Sequence, residues 1–199
     1  IIPNIGTFHA EEIEPDILLI GAEKGAYSYN LKTKEQIKLC STASEIRTLG
    51  KDKHGVIWFA TENNGVGYIK SGKTHMLSKK NGIQDSKFNA IFIYNKEAYI
   101  YTKHGLYQYN FKSSKIESTA RFGKFLTKPE LGIFRMKGDE QGNVWTSTYG
   151  DNTNRLSFNK YSAGSFKRDT LFFKRLPSLH TQCFYTDGNS VYFGTQEGL

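Results

Sequence analysis

The chain has 199 residues, enough for a full hydrophobic core; its 14% aromatic content, frequent glycine, scarce proline and short apolar bursts argue against a helical bundle and for an all-β protein. Lys plus Arg total 27 against 19 Asp plus Glu, a net charge of +8, but the lysines fall singly or in pairs. That pattern reads as a solvated surface that blunts strand edges, so nucleic-acid binding is not expected.

The first elements set the theme. Ile17–Gly21 (ILLIG) is the longest clean apolar run and is strand-sized, too short to span a bilayer as a helix. No secretory leader is visible and the first residue is Ile1, so a piece of a longer protein is expected. Along the chain, DILLIGAEKGAYSYN (from Asp16), VIWFATENNGVGYIK (from Val56), AYIYTKHGLYQYN (from Ala98), NVWTSTYGDNTNRLSFN (from Asn143) and VYFGTQEGL (from Val191) share one grammar. Each has an alternating strand ending in a small residue or Thr, then a polar turn; all but the last continue into a second alternating strand. The aligned residues are Ala22, Thr61, Thr102, Thr148 and Thr195, a period of about 40 to 47 residues.

A further strand and a turn rich in Asp, Asn, Gly or Lys precede most copies, as in LGKDKHGVIW and MKGDEQGNVW. A polar strand follows, as in KTHMLS and KIESTA. Four antiparallel strands at this period predict β-propeller blades. The expected fold is therefore an all-β propeller of four-stranded antiparallel blades, with about four and a half blades present. The expected blades cover approximately residues 8–40, 44–79, 87–121 and 131–171, with 180–199 incomplete. Strands apolar on both sides follow from stacking one sheet on the next. Trp58, Tyr99, Trp145 and Tyr192 occupy equivalent positions and are expected to pack between blades. Cys40 and Cys183 are expected as two buried free thiols rather than a disulfide.

The stretch KDKHGVIWFATENNGVGYI, the linker NGIQDSKFNAIF, DEQGNVWTSTYGDN and TDGNSVYFGTQEGL together resemble the two-component regulator propeller repeat, whose blades read D-x-x-G-x-[IVL]-W-[IVF]-[GA]-T-x-x-G-[LV]-x-x-[YF]. The resemblance covers most of the chain. The first copy lacks the aromatic, the third replaces the Asp-x-x-Gly turn with Asn95-Lys96-Glu97, and the fourth carries extra residues after Thr148.

What the resemblance implies is a fragment of a seven-bladed propeller in the periplasmic or extracytoplasmic sensor region of a bacterial signalling protein, typically from the Bacteroidetes group. Such regions precede an immunoglobulin-like domain, a transmembrane helix in the inner membrane and a kinase or DNA-binding output, and many detect oligosaccharides. The implied partners are an oligosaccharide, the remaining blades and downstream domains, and a second copy of the parent. The alternative is a non-enzymatic protein-interaction propeller of cell-envelope or secretion machinery. An enzyme such as a propeller lyase or glycosidase is a third class.

No catalytic motif supports that third class. The five histidines (His9, His54, His75, His104 and His180) are isolated, so neither a metal nor a cofactor is expected. In a propeller, the turn between the second and third strands and the linker between blades open onto one face. The expected ligand residues there are Glu62, Asn63, Asn64, Lys103, His104, Tyr149, Asp151, Asn152, Asn154 and Arg155, with Gln196, Glu197 and the linker 79–85 nearby. The segment TYGDNTNR is expected as a longer loop than its counterparts, mixing an aromatic with groups that hydrogen-bond sugars.

Overall fold

The computed structural model describes residues 6–150, 153–169, 173, 181–188 and 190–195. The fold is all-β. The first sheet pairs β1 (Thr7–Glu14), β2 (Ile17–Ala22), β3 (Gly25–Asn30) and β4 (Gln36–Ser41) in that order, and the second pairs β5 (Ile46–Lys51), β6 (Ile57–Thr61), β7 (Val66–Lys70) and β8 (Lys73–Met76). The third holds β9 (Ala90–Tyr94), β10 (Glu97–Thr102), β11 (Gly105–Asn110) and β12 (Lys115–Ser118). The fourth holds β13 (Gly132–Gly138), β14 (Val144–Gly150), β15 (Thr153–Ser162) and β16 (Ser165–Asp169). Last, β17 (Thr181–Asp187) and β18 (Ser190–Thr195) form a two-stranded sheet. Four sequential antiparallel meanders of four strands are the architecture of propeller blades.

Local chemistry explains the hairpins. Between β9 and β10, Asn95 and Lys96 both take positive φ (48° and 57°), and Ser71 with Gly72 does the same between β7 and β8 (49° and 72°). Two consecutive positive φ values make the tight turn whose twist matches antiparallel strands. The middle strands β2, β6 and β10 are buried along most of their length, whereas β8 is exposed throughout. A strand with a neighbour on either side and sheets over both faces needs apolar residues at every position; an edge strand does not.

The chain divides into two compact units, residues 1–100 with 108–117, and residues 101–107 with 118–199. In the first unit, Leu19, Ala26 and Cys40 of the first sheet pack on Ile46, Leu49, Phe59 and Ile69 of the second. The first strands of these sheets are neighbours, β1 beside β5 and β5 beside β9. Trp58 meets Tyr109 and Phe111 at 5.7 and 5.9 Å between ring centroids, so it bridges the second sheet to the outer part of the third.

In the second unit, Trp145 plays the same part, reaching Phe193 of β18 at 6.1 Å and Phe173 at 6.0 Å. Phe122 is fully buried and meets Phe166 edge-on at 4.9 Å.

Both tryptophans thus pack between sheets as the repeat predicts. Tyr99 is buried as well; its ring meets Phe92 of the same sheet at 6.3 Å. Tyr192 departs from the expectation. It is 47% exposed and pairs with Tyr185, itself 63% exposed. Trp58 and Trp145 are covered by aromatics of the next sheet, and among the described residues no further sheet follows β18. Cys183 also departs: Cys40 is a buried free thiol, but Cys183 is an exposed one. Cys40, on the edge strand β4, is covered by its packing with Ile46, Leu49, Phe59 and Ile69 of the second sheet; among the described residues β17 pairs with β18 alone.

Candidate functional site

The Thr that ends the second strand of the repeat is a turn-closing residue. Thr61 Oγ1 donates to the Gly65 carbonyl at 3.0 Å and accepts from the Asn64 N–H at 2.9 Å. Thr102 repeats this, donating to the Gly105 carbonyl at 3.4 Å and accepting from the His104 N–H at 2.8 Å. These bonds use buried threonine hydroxyls to hold the turn that follows.

In the first unit the tip of the β6–β7 turn is tied to both neighbouring linkers. The Glu62 N–H donates to the Glu45 carbonyl at 2.9 Å, and the Gly65 N–H to the Ser86 carbonyl at 2.7 Å. The Asn63 N–H donates to Ser44 Oγ at 3.1 Å, whose hydroxyl in turn donates to the Glu45 carboxylate at 3.1 Å. The Glu45 backbone N–H first, and then that Ser44 donation, hold the Glu45 carboxyl below its ordinary range. Turn and linkers therefore share one end of the sheets, as propeller geometry requires. Glu62, Asn63 and Asn64 stand there exposed.

Two residues that sequence reasoning passed over belong to this end. Arg47 on β5 donates from Nε to Glu62 Oε2 at 2.8 Å, and its guanidinium lies 4.2 Å from the Phe8 ring centroid. Phe88, in the linker before β9, is 67% exposed with φ of 58°. The alternation of β5 could have flagged Arg47 as its exposed position beside the turn. Nothing in the sequence signals a left-handed phenylalanine.

In the second unit Lys103 and His104 form the two-residue tip of the β10–β11 turn, both half-buried. The His104 carbonyl accepts from the Tyr107 hydroxyl at 2.8 Å. Tyr149 lies on β14 opposite Gly132, and a Cβ at Gly132 would overlap its ring; the glycine makes room for the tyrosine.

The segment TYGDNTNR is not the long loop expected. Thr148 pairs with Arg155, Tyr149 with Asn154 and Gly150 with Thr153, so the extra residues lengthen the β14–β15 hairpin. A net addition that keeps strand register is absorbed as further ladder hydrogen bonds. Asn154 and Arg155 are strand residues; Asp151 and Asn152 lie outside the described residues, as do Gln196 and Glu197. Of the linker, Lys79–Asn81 forms a single 3-10 turn capped by Ser78, and the Asn81 side chain donates to the Ser114 carbonyl at 2.9 Å.

Among the described residues, no group of three or more His, Cys, Asp or Glu side chains could hold a metal ion, and no helix is long and apolar enough to cross a membrane.

No protein-family model matches the sequence, and no curated protein matches it as a relative. Solved structures do. The extracellular domain of BT4673 of B. thetaiotaomicron, assigned to a hybrid two component system, is similar over 95% of this chain at 19% identity and a TM-score of 0.66. That of BT3049 of the same organism and assignment is similar over 98% at 20% identity, also with a TM-score of 0.66. PorZ, a surface component of the type-IX secretion system of Porphyromonas gingivalis, is similar over 94% at 12% identity and a TM-score of 0.57. The chain spans about a quarter of the first two, 25% and 27% of their lengths. At these identities the likeness is one of fold, and the first two structures come from the same class of protein that the sequence repeat resembles.

Proposed function

We propose that this chain is part of the extracytoplasmic sensor region of a bacterial two-component signalling protein, that its ligand is an oligosaccharide, and that further blades and an output module complete the machine. The observation that carries the reading is the likeness in fold, over 95% or more of the chain, to extracellular domains assigned to hybrid two component systems. The two Asp-x-x-Gly-x-x-Trp copies, at Asp52 and Asp139, support it independently, because they are the repeat signature of that class.

The mechanism is a population shift. A ligand moves the protein between resting and signalling arrangements only through a difference in affinity for the two. The second reading, an interaction propeller of secretion machinery, has the weaker likeness to PorZ in its favour.

The test is to add a panel of neutral and acidic oligosaccharides to the full native polypeptide, measuring heat of binding and output-module phosphorylation or target transcription. Binding with a change in output supports the sensor. Absence of both, with a flanking sequence that encodes a secretion-sorting tail, sinks it.

A further inference from the structure

The first strand of four sheets carries a β-bulge at the same register. Thr7, Ile46, Ile133 and Thr181 pair with Ala22, Thr61, Thr148 and Thr195, the aligned residues of the repeat, and the pairing then skips Phe8, Arg47, Phe134 and Gln182. A bulge leaves its extra residue out of the ladder and re-aims it, which is why bulges gather beside functional sites. In β5 the effect is plain: Ile46 is fully buried, while the Arg47 side chain that follows is 43% exposed.

In the first unit the two extruded side chains meet. β1 lies beside β5, and the Arg47 guanidinium sits 4.2 Å from the centroid of the Phe8 ring, itself 40% exposed. Glu62 Oε2 accepts from Arg47 Nε at 2.8 Å, and the Glu62 N–H is held by the Glu45 carbonyl. After its own backbone N–H and Ser44, Arg47 also helps to hold the Glu45 carboxyl below its ordinary range, so the guanidinium charge reaches that group too. Among the described residues, Nη1 and Nη2 of Arg47 and Oε1 of Glu62 make no hydrogen bond. The second unit repeats the chemistry on its own: the Arg135 guanidinium lies 4.7 Å from the ring of the bulged Phe134. Stability does not account for the cluster, because an exposed ion pair contributes little and a bulge gives up ladder bonds.

The ion pair decides what sits there. A ligand anion that reached the Arg47 Nη groups would meet the Glu62 and Glu45 carboxylates, and a ligand cation that reached Glu62 would meet the guanidinium. The turns and linkers at this end of the first unit add little bias. Glu23, Glu45, Glu62 and Asp85 stand against Lys24, Arg47, Lys79, Lys80 and Lys87, four acids to five bases. Lys79 and Lys80 lie on the 3-10 turn, which Asn81 and Lys115 tie to the outer edge of the third sheet. A hydroxyl group donates to a carboxylate and accepts from a guanidinium, so it suits both halves of the pair.

We infer that Phe8, Arg47 and Glu62 form a subsite for one uncharged sugar ring, its apolar face on the exposed part of the Phe8 ring and its hydroxyls on the Arg47 Nη groups and Glu62 Oε1. This deepens the oligosaccharide reading above and rests on it. Arg47 is held by Phe8 and Glu62 before any ligand arrives, so little side-chain freedom is lost on binding.

The test is calorimetric titration of the full native polypeptide with neutral gluco-, galacto- and manno-oligosaccharides, their uronate counterparts and their amino-sugar counterparts. A neutral member should bind. Phe8→Ala should weaken it about tenfold or more, as truncation of a central aromatic contact does. Arg47→Lys should weaken it as well, since an ammonium lacks the planar fork of the guanidinium, and so should Glu62→Gln. Phe8→Tyr keeps a ring and should keep binding. Ile37→Ala, at an exposed position of the outer strand β4, should leave affinity unchanged; a loss there equal to that of Phe8→Ala overturns the subsite, because the effect would then be general. Binding of a neutral sugar that is indifferent to Phe8→Ala and Arg47→Lys overturns the subsite and leaves the oligosaccharide reading standing. Binding of uronates or amino sugars alone overturns the assignment of an uncharged ring. No binding of any member overturns both the subsite and the oligosaccharide reading.

Discussion

Asp52 holds Trp58 by its indole N–H, Nε1 to Oδ2 at 2.9 Å, and Asp139 holds Trp145 in the same way at 3.0 Å. The other oxygen of each carboxylate binds the turn: Asp52 Oδ1 accepts from the His54 and Val56 N–H groups at 2.8 and 3.0 Å, and Asp139 Oδ1 from the Asn143 N–H at 2.8 Å. One side chain therefore closes the hairpin and fixes the rotamer of the aromatic that packs against the next sheet. Six residues separate Asp from Trp because the intervening turn brings the carboxylate back over the start of the following strand. Removing it leaves a buried indole N–H and two turn N–H groups without their acceptor. Asp52→Ala is expected to lower unfolding free energy by about 1–3 kcal/mol, and Asp139→Ala by a similar amount, measured by urea denaturation. A loss within about 0.5 kcal/mol, the range of ordinary surface substitutions, would mean that the carboxylate has no part in holding the tryptophan.

The Asp-x-x-Gly-x-x-Trp pattern was legible in the sequence as a repeat, and it located both inter-sheet aromatics. Its hydrogen bond was not, since spacing alone does not say which way the carboxylate faces. The four-strand grammar was legible for a similar reason: a strand buried on both faces has no polar positions to spare, so β2, β6 and β10 stand out. Tyr192 carried the same pattern and is exposed, because burial belongs to the neighbouring sheet and not to the residue. The site was half legible. Glu62, Asn63 and Asn64 follow from the turn position, but Arg47 needed the cross-strand reach to Glu62, and Phe88 needed a backbone angle that no residue type announces. TYGDNTNR misled because a longer hairpin and a longer loop have the same composition.

Gly25 and Gly72 separate two reasons for glycine. Gly25 has φ of 137°, and a Cβ there would overlap the Cys40 carbonyl oxygen on β4; Gly72 has φ of 72° and open space around it. Gly25→Ala must push two paired strands apart, with a cost of about 2 kcal/mol or more, between overpacking and backbone strain. Gly72→Asn places the L-residue that best tolerates this φ in a free turn and should cost well under about 1 kcal/mol. Thermal melts of the two variants check the ranking; equal shifts would show that β3 and β4 are not in contact at this point.

The two thiols should react at very different rates. Cys40 is buried beside Ala26, and burial pushes its thiol above the ordinary range, so little thiolate exists at neutral pH. Cys183 is exposed. In native protein a disulfide-exchange reagent should label one thiol promptly, identified as Cys183 by peptide mass, with Cys40 reacting only after denaturant is added. Prompt labelling of Cys40 would mean that the contact between the first two sheets opens readily.

Tyr101 on β10 is buried, and desolvation raises its phenol above the ordinary tyrosine range even though Arg135 partly opposes this. The folded state therefore holds the proton more tightly than the unfolded chain. The stability from this difference is fully present below the unfolded value of about 10 and is lost as pH rises through the folded value. Tyr101→Phe removes that loss and, with it, the hydroxyl that meets Arg135, at a cost of about 1 kcal/mol near neutrality. Urea midpoints for the two proteins should differ most near pH 8, with the parent the more stable. The gap should narrow and then reverse above about pH 10, as the Tyr101 phenol ionises in the unfolded parent chain while burial keeps it protonated in the fold, a drain on stability that the Phe variant does not have. Tyr68 and Tyr107, whose hydroxyls are also raised by desolvation, remain in both and do not affect the difference. A gap that stays constant across this range would show that the Tyr101 hydroxyl reaches water, and that β10 and β13 leave a channel to it.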